Sequence, residues 1–128
     1  MRGWNRARLD SRRPWLLVSL QGSWARVGPL FVPGETACWG CYRARLASHR
    51  AHPDAERAWA ALDRSLGPSG PDRHAAAVAA LAAAEVERFT RRHAPPLLAG
   101  RVFVVDLETL EGGSESVGAV PGCPDCGA

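Results

Sequence analysis

A chain of 128 residues, 46% hydrophobic and 23% charged, suffices for one domain with its own core and lacks the composition of long disorder. All 16 basic residues are arginine, with no lysine or isoleucine and much alanine, glycine and proline, so the basicity reflects a coding bias. The formal net charge of only +3 leaves no footprint for DNA or RNA, and no run approaches the roughly 20 apolar residues of a membrane span.

In chain order, residues 1–13 are polar, arginine-rich and unpatterned, and read as an unstructured basic tail or the remnant of an upstream half. Arg12-Arg13 before Trp15-Leu16-Leu17 has some look of a twin-arginine export signal, but Gln21, Gly22 and Arg26 interrupt the apolar stretch, which reads instead as a short buried strand from Trp15 to Leu20. The expected location is therefore cytoplasmic. Gly22-Ser23 marks a turn, and Val27 to Val32 forms a second extended segment ending at the Pro33-Gly34 turn. A helix is expected from about Tyr42, and a better one from Asp54 to Leu66, stopped by the loop Gly67–Pro71. Asp72 is a candidate N-cap for the strongest helix, about His74 to Arg92, with Val78, Leu81, Ala82, Val86 and Phe89 on its apolar face. Arg88, Arg91 and Arg92 suit its C-terminal dipole. The last third reads as a hairpin: a strand from Arg101 to Leu107, a turn at Glu111–Ser114 and a return from Ser116 to Val120.

The chemistry lies in two Cys-x-x-Cys pairs, Cys38/Cys41 and Cys123/Cys126, which use every cysteine of the chain. Such a turn converges two thiolates on one ion, and two turns complete the tetrahedron of a closed structural zinc site. Gly40 and Gly127 suit the tight backbone of a knuckle. The 81 residues between Cys41 and Cys123 exceed a local zinc ribbon, so the fold must join the pairs and the metal would close a long loop. Three other readings stay open: a thioredoxin-like redox pair, which accounts for one pair only; disulfides in an exported protein; and a site joining His49 and His52 to the first pair, at a shorter spacing than zinc fingers use. His74 and His93, at helix ends, read as surface residues.

No Gly-x-Gly-x-x-Gly, Walker loop or Gly-x-Ser-x-Gly elbow is present, and Asp106, Glu108 and Glu111 read as solvated carboxylates rather than a catalytic pair. No catalytic or cofactor-binding residue is assigned beyond the four metal ligands. The residues alone suit a binding or scaffolding module.

The segment Val27-Gly28-Pro29-Leu30-Phe31-Val32-Pro33-Gly34-Glu35-Thr36-Ala37-Cys38-Trp39-Gly40-Cys41 resembles the VGPL-x-x-PG-x-T-x-C-x-x-C stretch of ThiF-like proteins of thiazole/oxazole-modified microcin biosynthesis. The order that follows is similar too: a variable helical insert, an alanine-rich helix, a Leu-x-Gly-x-Val strand at Leu98–Val102, and Cys-Pro-x-Cys-Gly at Cys123–Gly127. The resemblance covers about residues 15–128. It implies an α/β fold, the C-terminal half of a ThiF/MoeB-like protein, with a few strands, two or three helices and a domain over residues 14–128. It also implies one structural zinc per chain on Cys38, Cys41, Cys123 and Cys126. The implied partners are a precursor peptide and a YcaO-type cyclodehydratase that makes azolines with ATP, and a homodimer is compatible with it. Family members carry a leader-binding winged helix and a Rossmann-like half upstream of this segment, where this sequence has thirteen residues, so adenylation by this chain alone is not expected. The rival within the same resemblance is a divergent ThiF/MoeB-type adenylating enzyme acting on a sulfur-carrier protein or peptide.

Overall fold

The computed structural model describes residues 2–48, 72–91 and 94–128. Within them the order is α1 (Arg2–Ser11), β1 (Trp15–Gln21), β2 (Trp24–Phe31), α2 (Trp39–Ser48), α3 (Asp72–Arg91), β3 (Arg101–Asp106) and β4 (Gly112–Ser116). The four strands form one antiparallel sheet in the order β1-β2-β3-β4. This is the expected mixed α/β fold, with α3 on one face of the sheet and α1, α2 and the cysteines on the other. No described helix is long and apolar enough to cross a membrane.

β1 and β2 make a hairpin closed by the pair Gln21↔Trp24, leaving Gly22 and Ser23 as a two-residue loop. Only Gly22 has positive φ, 62°, which is the pattern of a type II′ turn and matches the twist of the strands. Further along, Leu16 pairs with Leu30 but Val18 pairs with Val27. Leu17 therefore opposes two residues, Gly28 and Pro29, in a bulge. Proline brings no N–H to the ladder, and Gly28 adopts φ 95° in a place where a Cβ would collide with the Arg101 carbonyl oxygen. One extra residue inverts the side-chain alternation. Ala25 and Val27 face α3, whereas Phe31 faces the cysteine side with Trp15, its cross-strand partner. The Gly-Pro of the motif thus switches the strand from one core to the other just before the chain leaves for Cys38.

Residues 2–11 form a helix, contrary to the unstructured tail expected of residues 1–13. Its anchors are few and strong: Trp4 meets Trp15 edge-on with ring centroids 4.7 Å apart, Leu9 packs on the core, and Asn5 is buried. A periodic apolar stripe is missing because aromatic contact and one polar contact replace it. β1 falls where expected but is an edge strand, only half-buried.

α3 lies close to its expected span, but its inward face is rotated. The buried positions are His74, Val78 and Glu85, with Ala82 packed beside them, while Leu81 and Val86 stay 40% and 46% exposed. His74, expected on the surface, is 4% exposed. Glu85 is tolerated inside because its carboxylate accepts hydrogen bonds from the backbone N–H groups of Leu97 (3.2 Å) and Leu98 (2.7 Å). Arg91 pairs with Glu87 at the exposed end of α3, as suits a solvated C-terminus.

The terminal hairpin is also shifted. β4 occupies Gly112–Ser116, where a turn and only the start of a strand were expected, and the chain reverses over residues 107–110. Asp106 organises that reversal, its Oδ1 accepting from the Glu108 N–H at 2.9 Å while Leu110 takes φ 61°. Gly112 belongs to the strand for a steric reason: a Cβ there would meet the Val104 carbonyl oxygen. The strand expected from Leu98 begins only at Arg101: Leu98–Gly100 precedes β3 as a turn, because Gly100 takes φ 64°, and the Leu30 N–H donates to the Leu98 carbonyl oxygen at 2.8 Å. The expected helix Asp54–Leu66 and loop Gly67–Pro71 lie outside the described residues.

Candidate metal centre

The path from β2 to the first cysteine pair is a type II turn: Pro33 and Gly34 occupy its centre, Gly34 has φ 88°, and the Glu35 N–H reaches the Val32 carbonyl oxygen at 3.0 Å. The Thr36 hydroxyl accepts from the Val32 N–H at 2.9 Å and closes it. Cys38 then stands just before α2, its carbonyl oxygen receiving the first helical bond, from the Tyr42 N–H at 3.0 Å. Cys41 lies in the first turn. Both sulfurs sit at the positive end of a helix dipole, which favours thiolates.

The second pair is carried by a tight C-terminal turn. The Cys123 N–H donates to the Val120 carbonyl oxygen at 3.0 Å, and the Gly127 N–H to the Cys123 carbonyl oxygen at 2.8 Å, with Gly127 at φ 72°. The Val120 N–H points at Cys41 Sγ, 3.4 Å away, so the approach of the second knuckle supplies a donor to the first. Gly40 serves the site differently from expectation: its φ is ordinary, and its missing Cβ makes room for the Asp125 carboxylate.

All four cysteines are free and brought together, their sulfurs lying within 4.8 Å of one another. The Cys38–Cys41, Cys38–Cys123 and Cys41–Cys126 separations are 3.8, 3.7 and 3.6 Å. A tetrahedron with metal–sulfur bonds of about 2.3 Å has edges of about 3.8 Å, so this donor set fits zinc, whereas a disulfide would require about 2.05 Å. The two pairs form one cluster, unlike separate redox motifs or two disulfides. His49 and His52 lie outside the described residues, as does His93. Asp106 ends β3, Glu108 lies in the turn after it and Glu111 just before β4; none belongs to the cluster, and Glu108 and Glu111 are exposed.

The electrostatics differ from thiol to thiol. Burial, which outweighs a hydrogen bond from the Cys41 N–H, pushes Cys38 up. Burial and the three neighbouring thiols push Cys126 up to about 12. Burial acts on Cys123 too, but the N–H groups of Cys126 and Asp125 outweigh it and hold this thiol down at about 7. Four sulfurs this close cannot all carry charge unaided; a divalent cation removes the conflict.

Two residues of the site gave no sequence signal. Asn5 of α1, 2% exposed, directs its side-chain amide both to Cys38 Sγ (3.8 Å) and to Asp125 Oδ2 (2.7 Å). Only the position of Asp125 inside the second Cys-x-x-Cys could have drawn notice.

No protein-family model matches the chain, and no curated protein does. Solved structures do. The heterocyclase TruD is 33% identical over 98% of this chain, with a TM-score of 0.76. The chain is ThiF-like. A heterocyclase in complex with substrate and cofactor matches 98% of it at 26% identity and a TM-score of 0.79. Escherichia coli MccB with ATP shares the fold, at 23% identity over 99% of the chain and a TM-score of 0.75. The ThiF-like chain spans only 20% of TruD, 18% of the second heterocyclase and 36% of MccB.

Proposed function

We propose that this chain is a zinc-stapled ThiF-like accessory in the biosynthesis of ribosomally made, azole-modified peptides, acting as scaffold beside a YcaO-type cyclodehydratase and its precursor peptide rather than as a catalyst by itself. The observation that carries the reading is the 33% identity to the heterocyclase TruD across nearly the whole chain. The sulfur cluster supports its metal half: Cys38, Cys41, Cys123 and Cys126 would hold one zinc, whose chemistry is structural, since four protein ligands leave no open position for a substrate. The cytoplasm, where thiols stay reduced, suits such a site.

Elemental analysis of purified protein is expected to give one zinc per chain, with Cys123→Ala losing both metal and thermal stability; a variant that kept both would refute the assignment. For the partner, the tagged chain is expected to retain a YcaO-type cyclodehydratase or a precursor peptide on co-expression. Binding to neither would count against the scaffold reading.

A specific observation favours a second reading. Among the structures sharing the fold, MccB is seen with ATP, and with AMPCPP and its peptide MccA. An adenylating role on a peptide or sulfur-carrier protein would show as ATP–pyrophosphate exchange dependent on that acceptor, and its absence separates the two readings.

A further inference from the structure

α1 carries three arginines and little apolar surface, yet it buries one residue almost completely, the poor helix former Asn5. A buried amide is tolerated only when its donors are used. Both Asn5 donors are: one N–H goes to Asp125 Oδ2 at 2.7 Å and the other to Cys38 Sγ at 3.8 Å. These partners lie 120 and 33 residues away in sequence, on opposite knuckles. They are also the chemically matching ones, because a carboxylate and a thiolate accept and do not donate. Asp125 is itself wedged against Gly40 of the first knuckle, where a side chain would exclude it.

We infer that Asn5 is a positioning residue of the metal centre, an outer donor through which α1 clasps both knuckles and stabilises the charge on Cys38. This rests on the metal reading above. Four thiolates around a divalent cation carry a net negative charge, and the Asp125 carboxylate adds another nearby. The neutral amide lies between them with its two N–H groups divided, which offsets their repulsion and fixes the orientation of Asp125. Groups hydrogen-bonded to metal ligands commonly govern metal affinity by about 10–100-fold.

The test uses the full chain loaded with Co(II), whose sulfur-to-metal charge-transfer band reports the electron density on the thiolates. Asn5→Leu keeps the size and removes the donor; Asn5→Ser, too short to reach Sγ, removes it with less apolar disturbance. Either variant is expected to lose about tenfold or more in Co(II) and zinc affinity in chelator competition. Its charge-transfer band should move to lower energy, as befits a thiolate deprived of a donor, a change that general loosening of α1 would not produce. A folded variant, judged by circular dichroism, with wild-type affinity and an unmoved band would overturn the role of Asn5 and leave the metal reading standing. A wild-type chain that binds neither metal would overturn both.

Discussion

Gly40 and Asp125 share one small space, and this makes their energetics inseparable. Gly40→Ala should improve the intrinsic helicity of α2 by about 1 kcal/mol but turn the Asp125 carboxylate away and break its bond to Asn5, worth about 1.5–3 kcal/mol. A net loss of about 1 kcal/mol is expected in urea denaturation of the metal-loaded chain. Adding Asp125→Ala to that variant should cost almost nothing more, and a fully additive cycle would separate the two residues. Asp106 governs a different residue-scale balance. The Glu108 N–H foremost, then the Ser23 hydroxyl, hold its carboxyl below the ordinary 3.8. Its contribution is thus complete above pH 3.8 and is lost as pH falls through the lower folded value. Amide exchange at the β3–β4 turn should accelerate over that acidic window, and Asp106→Asn should flatten the response.

At the level of elements, α3 shows how a polar group can displace an apolar one from the inward face. Glu85→Ala would strand the Leu97 and Leu98 N–H groups and is expected to cost about 2–4 kcal/mol, with faster amide exchange at those two residues as the local readout. By contrast, Leu81→Ala and Val86→Ala should each stay within about 0.5 kcal/mol, while Val78→Ala costs about 2 kcal/mol. Equal losses at Val78 and Val86 in thermal denaturation would mean that the rotated face is wrong. Hydrophobic periodicity located the helix and put Val78 and Ala82 inward but misplaced Leu81 and Val86, because alanines pack nearly as well on any side and Glu85 becomes buriable only once the turn after α3 presents its amides. The β1–β2 hairpin was readable from Gly22-Ser23 and the Val27–Val32 run, since local turn chemistry fixes it. The Gly28-Pro29 bulge was not, because its cause is the approach of β3 from far along the chain. α1 escaped notice for the same kind of reason: its inward face, with Trp4 and Leu9 only partly covered, centres on one asparagine whose partners come from both knuckles, a pattern no local window contains.

For the molecule as a whole, the cysteine spacing disclosed which sulfurs would meet, and the fold supplies the reason they can. β2 ends on the cysteine side because of its bulge, and Val117 to Val120 brings the last knuckle back over α2. Metal removal should therefore loosen two distant parts of the chain together. If the proposed zinc is present at a thousandfold above its Kd, it would stabilise the folded state by about 4 kcal/mol, so a chelator is expected to lower Tm by about 10–20 °C. A melting curve indifferent to chelator in zinc-loaded protein would contradict this coupling.

The Asn5–Asp125 hydrogen bond carries one more implication. The fifth residue and the fourth from the last touch, so the two ends of this unit lie side by side. Geometrically it resembles a plug-in cartridge: a short linker could join the ends and new ends could be opened at the exposed β3–β4 turn without rerouting the core. Such a circular permutant should still assemble its four sulfurs, and the same layout would let the unit be seated within a larger polypeptide through a single loop.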